Sequence, residues 1–126
     1  MIFQSEKPII QIAYTVKDVR QAAQIWSNKF NIGPFYVNEH IPLANSYVRG
    51  VAEPFDHSSA YGWQENLMIE LICDHAQKIS PIAISPDKPI GGIHHVAWIA
   101  PDFEAECQEL ENQDCEQVLW AQNGSD

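Results

Sequence analysis

The chain has 126 residues, and its 17 acidic against 7 basic side chains give a net charge of −10 at neutral pH. A charge of that sign repels phosphate backbones and anionic lipids, so we expect neither nucleic acid nor a membrane surface as a partner. No apolar run approaches the ~20 residues that a membrane span needs, and three cysteines without CxxC spacing are typical of a protein in a reducing cytoplasm.

The first part of the chain predicts a strand that leads into an amphipathic helix. Residues 8–16 are mostly apolar and predict the strand, and Asp18 then offers an N-cap for the helix. Apolar residues recur at helical spacing on one face, namely Val19, Ala22, Ala23, Trp26 and Phe30. We expect the helix to end within residues 31–34, where Gly33 supplies a turn and Pro34 cannot continue the helix.

The next part of the chain contains many turn-forming residues. Residues 35–37 open a second strand. Residues 41–54 are interrupted by proline, asparagine and glycine, which predicts mostly loop with one short extended piece.

A β-hairpin follows. Residues 57–64 and 67–73 favour β structure, and the two residues between them, Glu65 and Asn66, predict a tight turn. Because side chains alternate along a strand, Glu70 shares one face with apolar neighbours and is a carboxylate within an apolar strand.

The last third repeats the pattern of strand and helix. Residues 74–89, with three prolines, predict a connector. The strand that follows begins at His94 and His95, which strict alternation would place on opposite faces. Asp102 then offers an N-cap for a second helix, and residues 116–121 predict a final strand.

The two strand and helix units are related by a shift of 84 positions. This shift places Gln11 on His95, Ala13 on Ala97, and Asp18 on Asp102. Two diverged copies of one unit usually pair through pseudo-symmetry, each covering an apolar face of the other. The alternative is a chance likeness, because the starts of two such units share similar residues.

Four short pieces of the chain resemble the glyoxalase and extradiol dioxygenase superfamily, also called vicinal oxygen chelate proteins. The pieces are residues 11–18, 33–35, 69–71 and 94–97, in the order that the family has them. The resemblance implies an α+β fold, in which two paired βαβββ modules form a curled, half-open barrel around a divalent metal ion. It implies one domain, with module one at about residues 9–73, a linker at 74–91, and a partial module two at 92–126 that lacks its last strands.

The resemblance also implies a metal site. By position, Gln11 stands where the family has His or Gln, Glu70 where it has Glu, and His95 where it has His. An amide oxygen, a carboxylate and an imidazole suit Zn²⁺, Ni²⁺, Co²⁺, Mn²⁺ or Fe²⁺. The family's fourth ligand belongs to the strands that are missing, so water or another chain would have to replace it, or the site is incomplete. An uncovered sheet edge there favours a homodimer.

Each candidate ligand also has a plainer interpretation. Gln11 could be a polar residue at a strand edge, and His95 a core histidine bonded to the backbone. A buried carboxylate needs a partner, but for Glu70 an arginine such as Arg49 would serve.

Other residues are assigned by their positions alone. His57 and His75 are isolated in the sequence and are expected to lie in solvent. The candidates for the substrate pocket are Phe35, Tyr61, Trp63 and Met68.

The implied function is that of a metal-dependent lyase, isomerase or epimerase acting on a small vicinal-oxygen carbonyl compound or a thioester. In this reaction the metal ion stabilises an enolate. A carboxylate, for which Glu70 is the candidate, moves the proton. Two alternatives remain open: a metal-free protein that binds or sequesters a small molecule, similar to the bleomycin-resistance branch, and an inactive truncated member.

Overall fold

The computed structural model describes residues 7–76 and 92–123. Two helices and eight strands form in this part of the chain: β1 Gln11–Thr15, α1 Val19–Phe30, β2 Tyr36–Asn38, β3 Asn45–Val48, β4 Val51–Ala52, β5 His57–Gln64, β6 Leu67–Asp74, β7 Gly92–Ala97, α2 Phe103–Asn112 and β8 Leu119–Gln122. The strands make a five-stranded sheet, in the order β2-β5-β6-β1-β7, and a three-stranded sheet, in the order β4-β3-β8. The fold is therefore α+β and does not close into a barrel. Most of the linker predicted at 74–91 lies outside the described residues.

The helix α1 begins at its predicted N-cap, and its C-cap lies within the predicted residues 31–34, at Asn31, two residues before Gly33. The Asp18 carboxylate accepts hydrogen bonds from the backbone N–H groups of Arg20 and Gln21. At the other end Asn31, and not Gly33, takes the left-handed C-cap position, with φ 54° and its N–H donating to Ser27. Asparagine tolerates this backbone region better than most residues, which explains why the glycine is not needed there.

The predicted hairpin is confirmed by β5 and β6. The strands pair from His57 with Asp74 to Gln64 with Leu67, and the two-residue turn has Glu65 at φ 53°. One face of this hairpin packs beneath α1 in the main apolar core, whose buried members are Val19, Ala23, Ile32, Ala60, Ile69 and Leu71. The other face carries Glu70.

The pairing of β1 with β7 has the two-fold symmetry that the sequence repeat predicts. In this antiparallel pair Gln11 lies opposite Ala97, and Ala13 lies opposite His95. A two-fold axis that exchanges Gln11 with His95 also exchanges Ala97 with Ala13, so the two pairs are equivalent positions. The shift of 84 residues thus corresponds to a relation in space, and both copies continue into a helix that an aspartate caps.

Residues 41–54 contain more structure than the prediction of a loop with one extended piece. They form the short hairpin of β3 and β4, in which Arg49 and Gly50 have φ values of 48° and 81°. Two residues of positive φ make the tight turn that suits a hairpin, so Gly50 makes the turn and is not merely a strand breaker. The hairpin is completed by β8, which pairs with β3 from the far end of the chain.

Within the described residues, no helix is long and apolar enough to cross a membrane.

Gly62 is a point where the core admits no larger residue. A Cβ atom at this position would lie 2.7–2.9 Å from three ring carbons of Phe35. We expect Gly62→Ala to lower the free energy of unfolding by about 1–3 kcal/mol, because the ring must move within a packed core. Urea unfolding measures this loss. In a Phe35→Leu background the same change should cost less, and an equal cost in both backgrounds would contradict the contact as its cause.

Candidate active site

The side chains of Glu70 and His95 meet over the central strand β1. Ala13 pairs with Glu70 on one side and with His95 on the other. Because neighbouring strands lie about 4.8 Å apart, two side chains that flank a third strand meet only if the residue between them is small. Ala13 is fully buried, and above its methyl group Glu70 Oε1 lies 3.4 Å from His95 Nε2. The structure therefore brings two of the three predicted ligands together.

Glu70 is a buried carboxylate with polar partners. Its side chain is 8% exposed, and Ser59 Oγ donates a hydrogen bond of 2.8 Å to its Oε2. Burial by itself raises the pKa of Glu70, but the hydrogen bonds from His95 and Ser59 and the charges of His95 and His57 outweigh it. The pKa of Glu70 therefore lies below its ordinary value, and at neutral pH the group is an anion.

Tyr61 lies directly across from Glu70 in the hairpin. Burial is the largest influence that raises the pKa of Tyr61, and the nearby Glu70 carboxylate raises it further against the opposing effect of Ser59. The phenol consequently keeps its proton at neutral pH and is available as a hydrogen-bond donor to the carboxylate.

The alternative partner suggested for Glu70 and the expected exposure of His57 are both wrong. Arg49 is not its partner, because the Arg49 guanidinium donates to Glu116 at 3.0 Å. His57 is not solvated: it is buried, and its ring stacks on Phe55 with centroids 4.2 Å apart. As a neighbour on the face of the sheet that carries Glu70, His57 adds positive potential to the site.

The two adjacent histidines of β7 do not alternate. Ala13 pairs with His95, but the next residue, Tyr14, pairs with Ile93, so His94 is the extra residue of a β-bulge. The prediction that His94 and His95 lie on opposite faces is therefore wrong, and their Nδ1 atoms are 2.7 Å apart. Burial, and next the charge of His95, lower the pKa of His94, which favours a neutral ring beside His95. The contact between the two rings positions the His95 ring, and regular alternation did not predict it.

Gln11 lies on the same face of β1 as Ala13, two residues before it. Its amide nitrogen donates to Met68 Sδ at 3.1 Å, a contact that does not use the amide oxygen expected as a ligand. Met68 pairs with both Gln11 and Trp63, and half of the Trp63 surface is exposed. By alternation Tyr61, Trp63 and Met68 share the face of Glu70, as a pocket requires.

Phe35 is placed elsewhere. Its ring packs against Gly62 and joins the core beneath α1. Gly62 alternates with Tyr61 along β5, so Phe35 lies on the side of the sheet opposite Glu70. The structure does not bring Phe35 to the other pocket candidates.

The spacing of two atoms of the site, one from Glu70 and one from His95, fits a divalent metal ion. Two ligands bound at 2.0–2.1 Å in tetrahedral geometry lie about 3.3–3.4 Å apart. The separation of Glu70 Oε1 and His95 Nε2, 3.4 Å, matches that value. A carboxylate, an imidazole and an amide oxygen form a mixed donor set that suits Zn²⁺ and its first-row neighbours.

Comparison with known proteins addresses the family and the fold. A family model described as the Glyoxalase/Bleomycin resistance protein/Dioxygenase superfamily matches residues 10–125. The chain belongs to this superfamily. A similar solved structure is the crystal structure of methylmalonyl-CoA epimerase from Mycobacterium tuberculosis, with 19% identity and a TM-score of 0.55, covering 90% of this chain and 69% of that one. At this identity the likeness shows the shared fold. Among curated proteins, none matches the chain.

Proposed function

We propose that this glyoxalase-superfamily protein is a metal-dependent isomerase, epimerase or lyase that moves a proton next to a carbonyl group. The substrate class is a small compound with two neighbouring oxygens, or its thioester. The observation that supports this proposal is the meeting of Glu70 and His95 over Ala13, with 3.4 Å between a carboxylate oxygen and an imidazole nitrogen. The fold of the epimerase supports the reaction class and leaves the substrate open.

In this mechanism Gln11, Glu70 and His95 would hold the metal ion. A divalent ion bound there would stabilise negative charge on two neighbouring substrate oxygens. Glu70 is also the candidate proton acceptor. Because a carboxylate oxygen bound to a metal ion is a weak base, Glu70 would have to accept the proton with Oε2, the oxygen that the Ser59 hydroxyl orients, while Oε1 faces His95. Tyr61 retains its proton and can stabilise the carboxylate or an oxygen of the substrate. Trp63 and Met68 offer apolar contacts at one end of the same face.

Elemental analysis of the freshly purified protein tests this proposal first. We expect a first-row metal ion, together with exchange of the α-proton of methylmalonyl-CoA for deuterium in D₂O. Methylmalonyl-CoA serves as a probe of the thioester class. No metal in the protein and no uptake of added Co²⁺ would overturn the proposal.

A second candidate function is metal-free binding of a small molecule. The observation that favours it is that Glu70 already has polar partners without an ion, in Ser59, Tyr61 and His95. A hydrophobic ligand that raises the melting temperature of chelator-treated protein, equally in His95→Ala, would support this function over the first.

His94 gives a prediction about the metal site. His94→Ala removes the group that bonds His95 Nδ1, and such outer partners commonly contribute 10–100-fold to metal affinity. We expect Co²⁺ affinity, measured from its visible absorption, to fall by about that factor. Ile99→Ala, an exposed residue just after the same strand, is the control. Equal affinities for the two variants would contradict the role of His94.

We further propose a homodimer in the cytoplasm. Among the described strands β7 is an edge of the five-stranded sheet, and Ile93 and Val96 are 57% and 42% exposed on it. An apolar edge of this kind invites pairing with a second chain. Light scattering during size exclusion should give twice the mass of one chain at micromolar concentration, and Ile93→Lys should shift the protein toward the monomer. A wild-type monomer would reject the dimer.

A further inference from the structure

A second group of metal-binding side chains is formed by His40, Asp56 and His75. One ligand atom from each residue lies within 4.8 Å of the other two, and all three residues are exposed. His40 Nδ1 is 2.7 Å from Asp56 Oδ1, and the rings of His40 and His75 stack with centroids 4.3 Å apart. We call this group the His40 cluster.

The His40 cluster is separated from the candidate active site by the sheet. Ser58 contacts His75, whereas Ser59 contacts Glu70. These serines are consecutive on β5, so their side chains point to opposite faces. The cluster is therefore independent of Glu70 and His95.

Hydrogen bonds between three chain segments hold the cluster in place. Ser58 is 2% exposed, and its Oγ accepts from the His40 N–H at 2.9 Å and lies 2.6 Å from His75 Nε2. The His75 N–H donates to the Asp56 carbonyl at 2.9 Å. Of these contacts, the one between His75 Nε2 and Ser58 is of the kind that metal-binding histidines usually make with the ring nitrogen that does not bind the metal, and it fixes the orientation of the ring.

The surroundings leave room for an ion with open coordination positions. A cavity of about 270 Å³ lies beside the cluster. Its lining includes His40, Ser58 and His75 and three charged residues, Lys17, Asp18 and Glu39. A hydrogen bond explains why His40 lies next to Asp56, but it does not explain why His75 stacks on the same ring. The ligand atoms of two imidazoles and a carboxylate lie within 4.8 Å of one another, close enough for one cation to bind all three once the stacked rings turn their nitrogen atoms toward it.

We propose that His40, Asp56 and His75 form a second metal site that takes Zn²⁺. Two imidazole nitrogens and one carboxylate oxygen are ligands that Zn²⁺ prefers, and three protein ligands leave a fourth position for water or a small ligand. The 2.7 Å contact between His40 and Asp56 is shorter than the ~3.3 Å between ligands around Zn²⁺, so small rotations of these exposed side chains accompany binding.

Zinc titration of the intact protein and two sets of variants tests this site. In His95→Ala, which disables the candidate active site, one Zn²⁺ per chain should still bind. Adding His75→Ala or Asp56→Asn to that background should weaken Zn²⁺ binding by at least about 100-fold. This is a larger effect than the loss of a residue that only hydrogen-bonds a metal ligand. Glu39→Gln removes a cavity carboxylate that is not a ligand, and its effect should be severalfold at most. The NMR signals of His40 and His75 are assigned by their loss in His40→Ala and His75→Ala. In the protein that keeps both histidines, these signals should shift when Zn²⁺ binds.

Two results would overturn the second site. One is the absence of Zn²⁺ uptake in folded His95→Ala, and the other is uptake that His75→Ala and Asp56→Asn leave unchanged. The His40→Ala, His75→Ala double variant keeps Glu70 and His95, so its Co²⁺ spectrum and proton-exchange activity report separately on the proposed function. Failure of one site is thus distinguishable from failure of the other.

Discussion

Glu70→Gln is expected to lower the rate of α-proton exchange by about 10²–10⁴-fold, the range that a positioned acid or base contributes. The substitution keeps the size of the side chain and the possibility of a hydrogen bond from Ser59, but it removes the negative charge. Co²⁺ affinity should fall in the same variant, because a neutral amide is a weaker ligand beside His95 than a carboxylate. Deuterium exchange in methylmalonyl-CoA and Co²⁺ absorption measure the two effects.

The chain offers a matched control for this substitution in Glu106. This residue is also a buried glutamate, and it accepts hydrogen bonds from Trp98 at 2.9 Å and from Lys7 at 2.8 Å, on α2 and away from Glu70. Glu106→Gln should leave exchange and Co²⁺ affinity unchanged. Exchange in Glu70→Gln at the wild-type rate would contradict the catalytic role of Glu70. Loss of Co²⁺ affinity without loss of exchange would make it a ligand only.

The surroundings of Glu70 were predictable because they depend on local rules. A two-residue turn at Glu65 and Asn66 fixes the register of the hairpin, and that register places Tyr61 opposite Glu70. The sequence repeat similarly predicts that the two strand and helix units pair symmetrically, and the structure then places Gln11 and His95 opposite the two alanines of β7 and β1. Alternation along β6 then places Glu70 on the face that His95 also reaches.

Other features could not be predicted because they depend on distant parts of the chain or on one irregular residue. The bulge at His94 moves a single residue out of register, and no local pattern distinguishes it from a regular strand. The strand β3 acquires its partner β8 from more than 70 residues away. The His40 cluster has no sequence motif, since its members come from just after β2, just before β5 and just after β6.

The site as a whole depends on the size of Ala13. Ala13→Val adds two methyl groups between Glu70 and His95 and should separate the pair. We expect Co²⁺ affinity to fall by at least about tenfold, because ligands must hold their positions within about 0.5 Å. Stability should fall by about 1–3 kcal/mol through overpacking of a residue that is fully buried. Because valine is favoured in strands, its backbone preference contributes little to this loss of stability.

Ala60→Val separates the effect on the site from the effect on the fold. Ala60 is also fully buried in the sheet, but it lies on the face that packs beneath α1. Its replacement should cost a similar free energy in urea unfolding and leave Co²⁺ affinity and proton exchange unchanged. If both valine variants lost metal affinity equally, general loosening of the sheet would be the cause. If only Ala13→Val loses it, the gap above one small residue is what allows the carboxylate and the imidazole to act together.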